Sequence, residues 1–401
     1  MRKIDRSILI ANTLDHFDTA MYGFLAPYMA PFFFPVADPV IQLILAYSVL
    51  ASSVVTRPIG AWIFGVLAKK KGPQLGLSYS LAGVAIFTLF VGLLPTYETI
   101  GFWAPVLLIF VRMLRGIFSA GESSIAKLYL LENKEYKQAF KASYFYQSST
   151  MVGIILSSVC ALFLPWRICF ILGSSVGIFS YMLRQKETKI PKVKCEETTP
   201  LSLSSIWQEK LNITQVIITT GVTHITYAFP FVILNTLMPL VSDITLATMM
   251  KLNTALLVFD AVFLWGVGSF VSRFSVQNVL RFSLVMLLLG LPATAYLQGA
   301  SLLYVTGLRI WFIVWGVIFS IPLNLYYKQI FSHTPDQYLF VGISNAIGAS
   351  TIGKLTPSIC FSLYYFMGQT WGIVLYLGFV IAFGLVVLPK TYSVSLQKNL
   401  I

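Results

Sequence analysis

Between Arg112 and Glu122 the sequence Arg-Met-Leu-Arg-Gly-Ile-Phe-Ser-Ala-Gly-Glu sets three formal charges inside a long apolar stretch. On a helix, Arg112, Arg115, Ser119 and Glu122 share one face and span roughly 15 Å along its axis. Gly116 and Ala120, four apart, give an edge where a neighbouring backbone can approach closely. In the first apolar stretch Asp15, Asp18 and Tyr22 also fall on one face. Two acids on one stripe cannot both stay ionised cheaply unless cations or water face them, so Asp15, Asp18 and Glu122 are the candidates to take up and release a proton. A guanidinium can grip a carboxylate or phosphate through two parallel hydrogen bonds. One of Arg112 and Arg115 is therefore expected to neutralise Asp18 or Glu122, and the other to meet cargo. Tyr22 completes the first-span face.

Further polar groups lie in other apolar stretches. Arg57 stands before Pro58 and Gly60, where a helix bends easily, and suits either an ion pair or a substrate contact. Tyr144, Gln147, Ser148, Ser149 and Thr150 suit helix packing, with Gln147 the preferred exception. In the second half His224 is more often a packing residue than a proton carrier, and Tyr227, Arg309, Asn345 and Lys354 are candidate substrate contacts. Asp260 is a gating candidate, paired with Arg309 or Lys354. The deep charges are Arg57, Arg112, Arg115, Arg309 and Lys354 against Asp15, Asp18, Glu122 and Asp260. That positive balance favours a small anion or a carboxylate-bearing zwitterion.

The elements that must position these groups follow from composition. The chain has 401 residues, 57% hydrophobic and 11% charged, with a mean hydropathy of +0.79, which places it among multi-pass membrane proteins. Apolar windows of about twenty residues fall near 8–34, 40–68, 74–95, 101–131, 137–164, 167–184, 212–241, 246–272, 276–297, 301–331, 337–366 and 370–389. The expected fold class is thus all-α, twelve transmembrane helices in two six-helix halves, 1–184 and 211–401, joined by a polar cytoplasmic linker at 185–210. The first span is read as retained, because Asp15 and Asp18 interrupt any signal-peptide core. With twelve spans, the lysines and arginines between spans fall on one side except Arg167, so both termini are expected to be cytoplasmic. The net charge of +13 is then topology and lipid contact rather than nucleic-acid binding. Cys160, Cys169, Cys195 and Cys360 are scattered, with no Cys-x-x-Cys pair, so neither a metal site nor a disulfide framework is expected. No nucleophile and base pair suggests an enzyme, and no cofactor is expected.

Several of these stretches together resemble the metabolite:proton symporter branch of the major facilitator superfamily, which includes osmolyte, 2-oxoglutarate, citrate and shikimate permeases. Asn12-Thr-Leu-Asp-His-Phe-Asp18-Thr-Ala-Met-Tyr22-Gly23 is similar to that branch's first span. Arg57-Pro-Ile-Gly60 with Gly65 is similar to its second, and Arg112-x-x-Arg115-Gly116-x-x-x-Ala120-Gly121-Glu122 to its fourth. Trp166-Arg167-Ile, Glu187-Thr188, and Asn345 with Gly353 and Pro357 extend the likeness over almost the whole chain. The resemblance implies the major facilitator fold and proton-coupled uptake of a small carboxylate-bearing metabolite by alternating access. It implies a monomer in a bacterial inner membrane, whose partners are substrate, proton and lipid, with Asp15, Asp18, Arg57, Arg112 and Glu122 at the branch's charged positions. An exporter or exchanger of the same fold and a non-transporting receptor or regulator are the alternatives.

The sequence also departs from that branch. Lys69 or its neighbour Lys70 stands where the branch has an Asp that latches the cytoplasmic side, and Pro73 and Gln74 replace a basic pair, so Gly65, Lys69 and Gly72 mark an altered gate. Arg115 stands for Gln, His16 for Trp and Lys354 for Gly. These changes imply a more anionic cargo than a betaine. A tail of about ten residues past the last span argues against an osmosensing coiled coil.

Overall fold

The computed structural model describes residues 3–131, 134, 136–187, 203–334 and 336–388. Among them there is no strand. In chain order the helices are α1 Lys3–Phe33, α2 Pro39–Ala51, α3 Ser53–Lys71, α4 Pro73–Leu93, α5 Tyr97–Ile100, α6 Trp103–Leu131, α7 Tyr136–Phe163, α8 Trp166–Glu187 and α9 Leu203–Gln208. The second half comprises α10 Lys210–Ala228, α11 Leu234–Val241, α12 Leu246–Val271, α13 Val276–Gly290, α14 Leu302–Ser320, α15 Leu323–Ile330, α16 Gln337–Gly348, α17 Thr356–Met367 and α18 Trp371–Val387. Wide π turns at Phe229–Ile233 and Ala349–Lys354 join α10 to α11 and α16 to α17.

Each of the twelve expected segments is helical over most of its length. Eight helical stretches among the described residues are long and apolar enough to cross a bilayer. The other four segments fall short of that measure for separate reasons. In the first the polar Asp15 and Asp18 stripe dilutes the apolar run, and in the eleventh Asn345 and Lys354 do the same. The apolar parts of the sixth and twelfth are the shorter Trp166–Ile178 and Trp371–Val387. Within the stretch expected to be a polar linker, α9 is a short helix.

Helices suit a bilayer because every backbone group finds its partner inside the segment, and the ends here are closed by recognisable devices. Asp38 accepts hydrogen bonds from the Val40 and Ile41 amides at 2.7 and 3.2 Å, with Pro39 opening α2. Thr245 and Ser301 cap α12 and α14 in the same way. Gly72 ends α3 at φ 91°, a conformation in which any side chain is strained. Arg167, the exception among the connecting charges, donates to the Gly92 carbonyl at 3.2 Å and lies over the Trp166 ring. Large apolar side chains face outward, Leu303, Phe366 and Val386 being at least 80% exposed, as a lipid-facing surface requires.

In the first half α1 packs on α7 and α8, α3 on α6, and α4 on α6 and α8. In the second, α10 packs on α16 and α18, α13 on α14 and α18, and α12 on α14. The closest seams depend on missing side chains. A Cβ at Gly153 would overlap the Thr13 carbonyl of α1, and one at Gly60 the Ile117 carbonyl of α6. We expect Gly153→Ala to cost about 1–3 kcal/mol through forced separation of α1 and α7. Gly266→Ala, where nothing lies within 4 Å of the added carbon, should cost nothing by the same thermal-unfolding measurement in detergent.

Candidate functional site

The α1 face carries the polar framework of the first half. The Asn12 side-chain amide donates to Ser149 and Thr150 hydroxyls at 2.8 Å each and to the Tyr146 carbonyl at 3.1 Å. Those α7 hydroxyls are therefore packing groups, as their type suggested. One helical turn on, Asp15 accepts from Ser119 at 2.9 Å and pairs with Arg115 at 3.3 Å. Asp18 pairs with Arg112 at 3.6 Å and also contacts Arg115 Nε. Arg115 donates to Thr19 at 3.1 Å, and Arg57 donates to Ser119 at 3.3 Å. The Arg112 guanidinium lies 4.1 Å from the Tyr22 ring centre, a cation–π contact, while the Tyr22 hydroxyl donates to the Ala46 carbonyl at 3.0 Å.

This geometry corrects one expectation. Both α6 arginines, and not one of them, are committed to the α1 acids. Neither arginine reaches the central cavity, and Tyr22 and Asp18 stay out of its wall too. With side chains only 3–4% exposed, the arginines and Asp18 are enclosed by the α1 and α6 seam, so each cation's nearest compensation is a carboxylate. The Glu122 and Lys69 side chains lie outside the described residues, as do those of Pro73 and Gln74.

The cavity itself, about 190 Å³, lies between the two halves. Among the described residues its cations are Arg57 and Lys127 from the first half and Lys354 from the second, and its acids are Asp15 and Asp260. Gln147, Tyr227 and Asn345, expected from the sequence, line it as well, and so do His16 and His224. Lys127 donates to the Asn345 side chain at 3.1 Å, which joins the halves across the cavity; Thr220 bonds the same oxygen at 3.3 Å. Lys127 was missed in the sequence. It is a further charge on the Arg112 helix, but it stands close to the helix end, where a lysine ordinarily snorkels toward water. Gly353 matters by its size, because a Cβ there would meet the His224 side chain at 2.5 Å.

Arg309 does not line the cavity. It is 0% exposed and donates to Asn253 between α14 and α12, a partner with no sequence signal of its own. The expected pairing of Asp260 with Arg309 or Lys354 does not form among the described residues. Arg309 is held by Asn253, and Lys354 lines the cavity wall without an ion pair.

Contacts between the halves lie to either side of the cavity. At one end the Tyr47 ring stacks on Phe361 with centres 5.5 Å apart, and its hydroxyl lies 2.9 Å from that of Thr236. At the other end α16 packs on α3 and α6, Leu339 fills the space over Gly65, and Lys328 donates to the Leu131 carbonyl at 2.7 Å. Along the side, Ser158 and Thr254 hydroxyls meet at 2.7 Å between α7 and α12.

Two solved structures share this fold. The human organic anion transporter MFSD10 superposes with a TM-score of 0.75 at 13% identity, over 97% of this chain and 99% of that one. A D-xylose-proton symporter gives 0.71 at 12% identity, over 96% and 98%. The chain has the major facilitator fold. Residues 7–186 match the family described as sugar (and other) transporter. The proline/betaine transporter of Escherichia coli (strain K12) is 30% identical over 204 residues, 48% of this chain and 41% of that protein. A Staphylococcus haemolyticus (strain JCSC1435) protein, provisionally named a proline/betaine transporter, is 34% identical over 204 residues, 48% of this chain and 44% of its own length. The chain thus spans less than half the length of the curated relatives it matches. The likeness in sequence, expected over almost the whole chain, reaches about half of it, while the likeness in fold reaches nearly all.

Proposed function

We propose that the protein is a secondary transporter that carries a small carboxylate-bearing molecule, an anion or a zwitterion, inward with a proton by alternating access. The observation that carries this reading is the meeting of Arg57, Lys127 and Lys354, drawn from both halves, in one cavity. A carboxylate between them would interact with the two halves at once, so its binding would favour the closed arrangement over states in which the halves are apart. The cavity's size fits a small metabolite. The relatives named for proline and betaine, both carboxylate-bearing, support the same substrate class.

The same reading has the protein as a monomer in a bacterial inner membrane with both termini cytoplasmic. The two helical groups, 1–184 and 211–401, would then rock about the cavity.

The test is uptake by proteoliposomes under an imposed proton gradient, across a panel of carboxylates and betaines. We expect at least one to accumulate and to leak out when a protonophore collapses the gradient. Uptake indifferent to the gradient would reject proton symport. Counterflow with preloaded substrate separates uptake from exchange.

A further inference from the structure

We propose that Asp260 is a protonation site of the central cavity, while Asp15 and Asp18 act as fixed counter-charges to Arg112 and Arg115. The three acids differ in their company. Asp15 and Asp18 each have an arginine, and Asp15 also has a serine hydroxyl. Asp260, on α12, is 95% buried by the complement of its 5% exposure, lines the cavity, and leaves its Oδ1 without a hydrogen-bond partner.

The groups that could serve it from neighbouring elements are committed elsewhere, uncharged in their ordinary state or, as with Lys354, not paired with it among the described residues. On α14, Arg309 is bound to Asn253. On α10, His224 and Tyr227 line the same cavity, and the Tyr227 hydroxyl is itself without a partner. On α7, Tyr144 packs edge-on to Trp265 and Tyr146 turns its carbonyl to Asn12. Lys354, in the second π turn, forms no ion pair with Asp260 among the described residues.

An ionised carboxylate without a cation in such surroundings costs several kcal/mol, and a proton removes that cost. The chemistry is a proton transfer alone. An O–H bond forms on the Asp260 carboxylate as one in hydronium or water breaks, and the reverse step returns the proton when water reaches the cavity. Neither step changes an oxidation state. A cavity in which the acid is neutral while the cations remain keeps its positive balance for an anionic group, which ties the proton to the cargo. That tie rests on the transport reading; the protonation does not.

Infrared difference spectroscopy of the purified full chain, without substrate, tests it by the carbonyl-stretch band of a protonated carboxyl followed against pH. We expect wild type to show a pH-dependent band that Asp260→Asn abolishes, Asp260→Glu moves, and Asp15→Asn keeps. Asp260→Asn removes no ion pair and should stay folded; should it not, Asp260→Glu still identifies the group by the shift. A band at full height in Asp260→Asn, a band lost in Asp15→Asn, or no band in wild type over the folded pH range would each overturn the proposal. Proteoliposome uptake is a separate readout, so failure of transport leaves the spectroscopic result standing.

Discussion

Asp18→Ala is expected to lower stability by about 3–5 kcal/mol, the usual cost of removing one partner from a buried ion pair. Asp18 faces both Arg112 and Arg115 with side chains of 3–4% exposure, and no water can replace it without opening the α1 and α6 seam. Its loss leaves Arg115 with Asp15 alone and, among the described residues, the Arg112 guanidinium with the rings of Tyr22 and Phe170 and no acid. Adding Arg115→Gln to the alanine variant should recover part of the loss, because the second substitution removes one of the uncompensated cations. Chemical or thermal unfolding in detergent measures both. A single-variant cost below about 1 kcal/mol, the range of exposed pairs, would mean that the cluster is open to water.

If the proposed carboxylate cargo binds between the cavity cations, Lys354→Met is expected to weaken its binding roughly tenfold to 150-fold, the equivalent of about 1.5–3 kcal/mol for a hydrogen bond to a charged group. Stability should hold or rise, because Lys354 lines the wall with no acid bound to it and the methionine removes a poorly compensated cation. Binding by calorimetry and unfolding on the same sample separate the two effects. Equal affinity in wild type and variant would place the cargo elsewhere. Arg115→Gln gives the contrast: as a member of the α1 cluster outside the cavity wall, it should affect stability more than affinity.

The difference between these two cations shows what the sequence could and could not say. Helical spacing put Arg112, Arg115 and Ser119 on one face and Asp15 and Asp18 on another, and the structure joins those faces. Spacing alone cannot tell a face turned to a neighbouring helix from one turned to a cavity, since both need polar groups to meet polar groups. Arg115 was therefore counted among the cargo contacts, whereas the structure sets it in the α1 and α6 seam and puts Lys127, with the expected Lys354, on the cavity wall. The span pattern was readable because about twenty apolar residues are needed to cross a bilayer. Pairings such as Arg309 with Asn253 depend on how α14 rotates against α12, which no local periodicity encodes. The Asn12 contacts to Ser149 and Thr150 were anticipated only in kind, from hydroxyls on an apolar helix.

The π turn at Ala349–Lys354 holds one residue more than regular winding allows. Each surplus residue turns everything beyond it by roughly 100° about the axis. The face that α17 offers to α2, including Phe361 on Tyr47, is consequently set by a count and not by the sequence of α17 itself. A bulge of this kind can migrate along its helix by exchanging hydrogen bonds one at a time. Such a shift toward α17 would re-aim the residues that the bulge passes, Lys354 first, while the helix axis stays where it is.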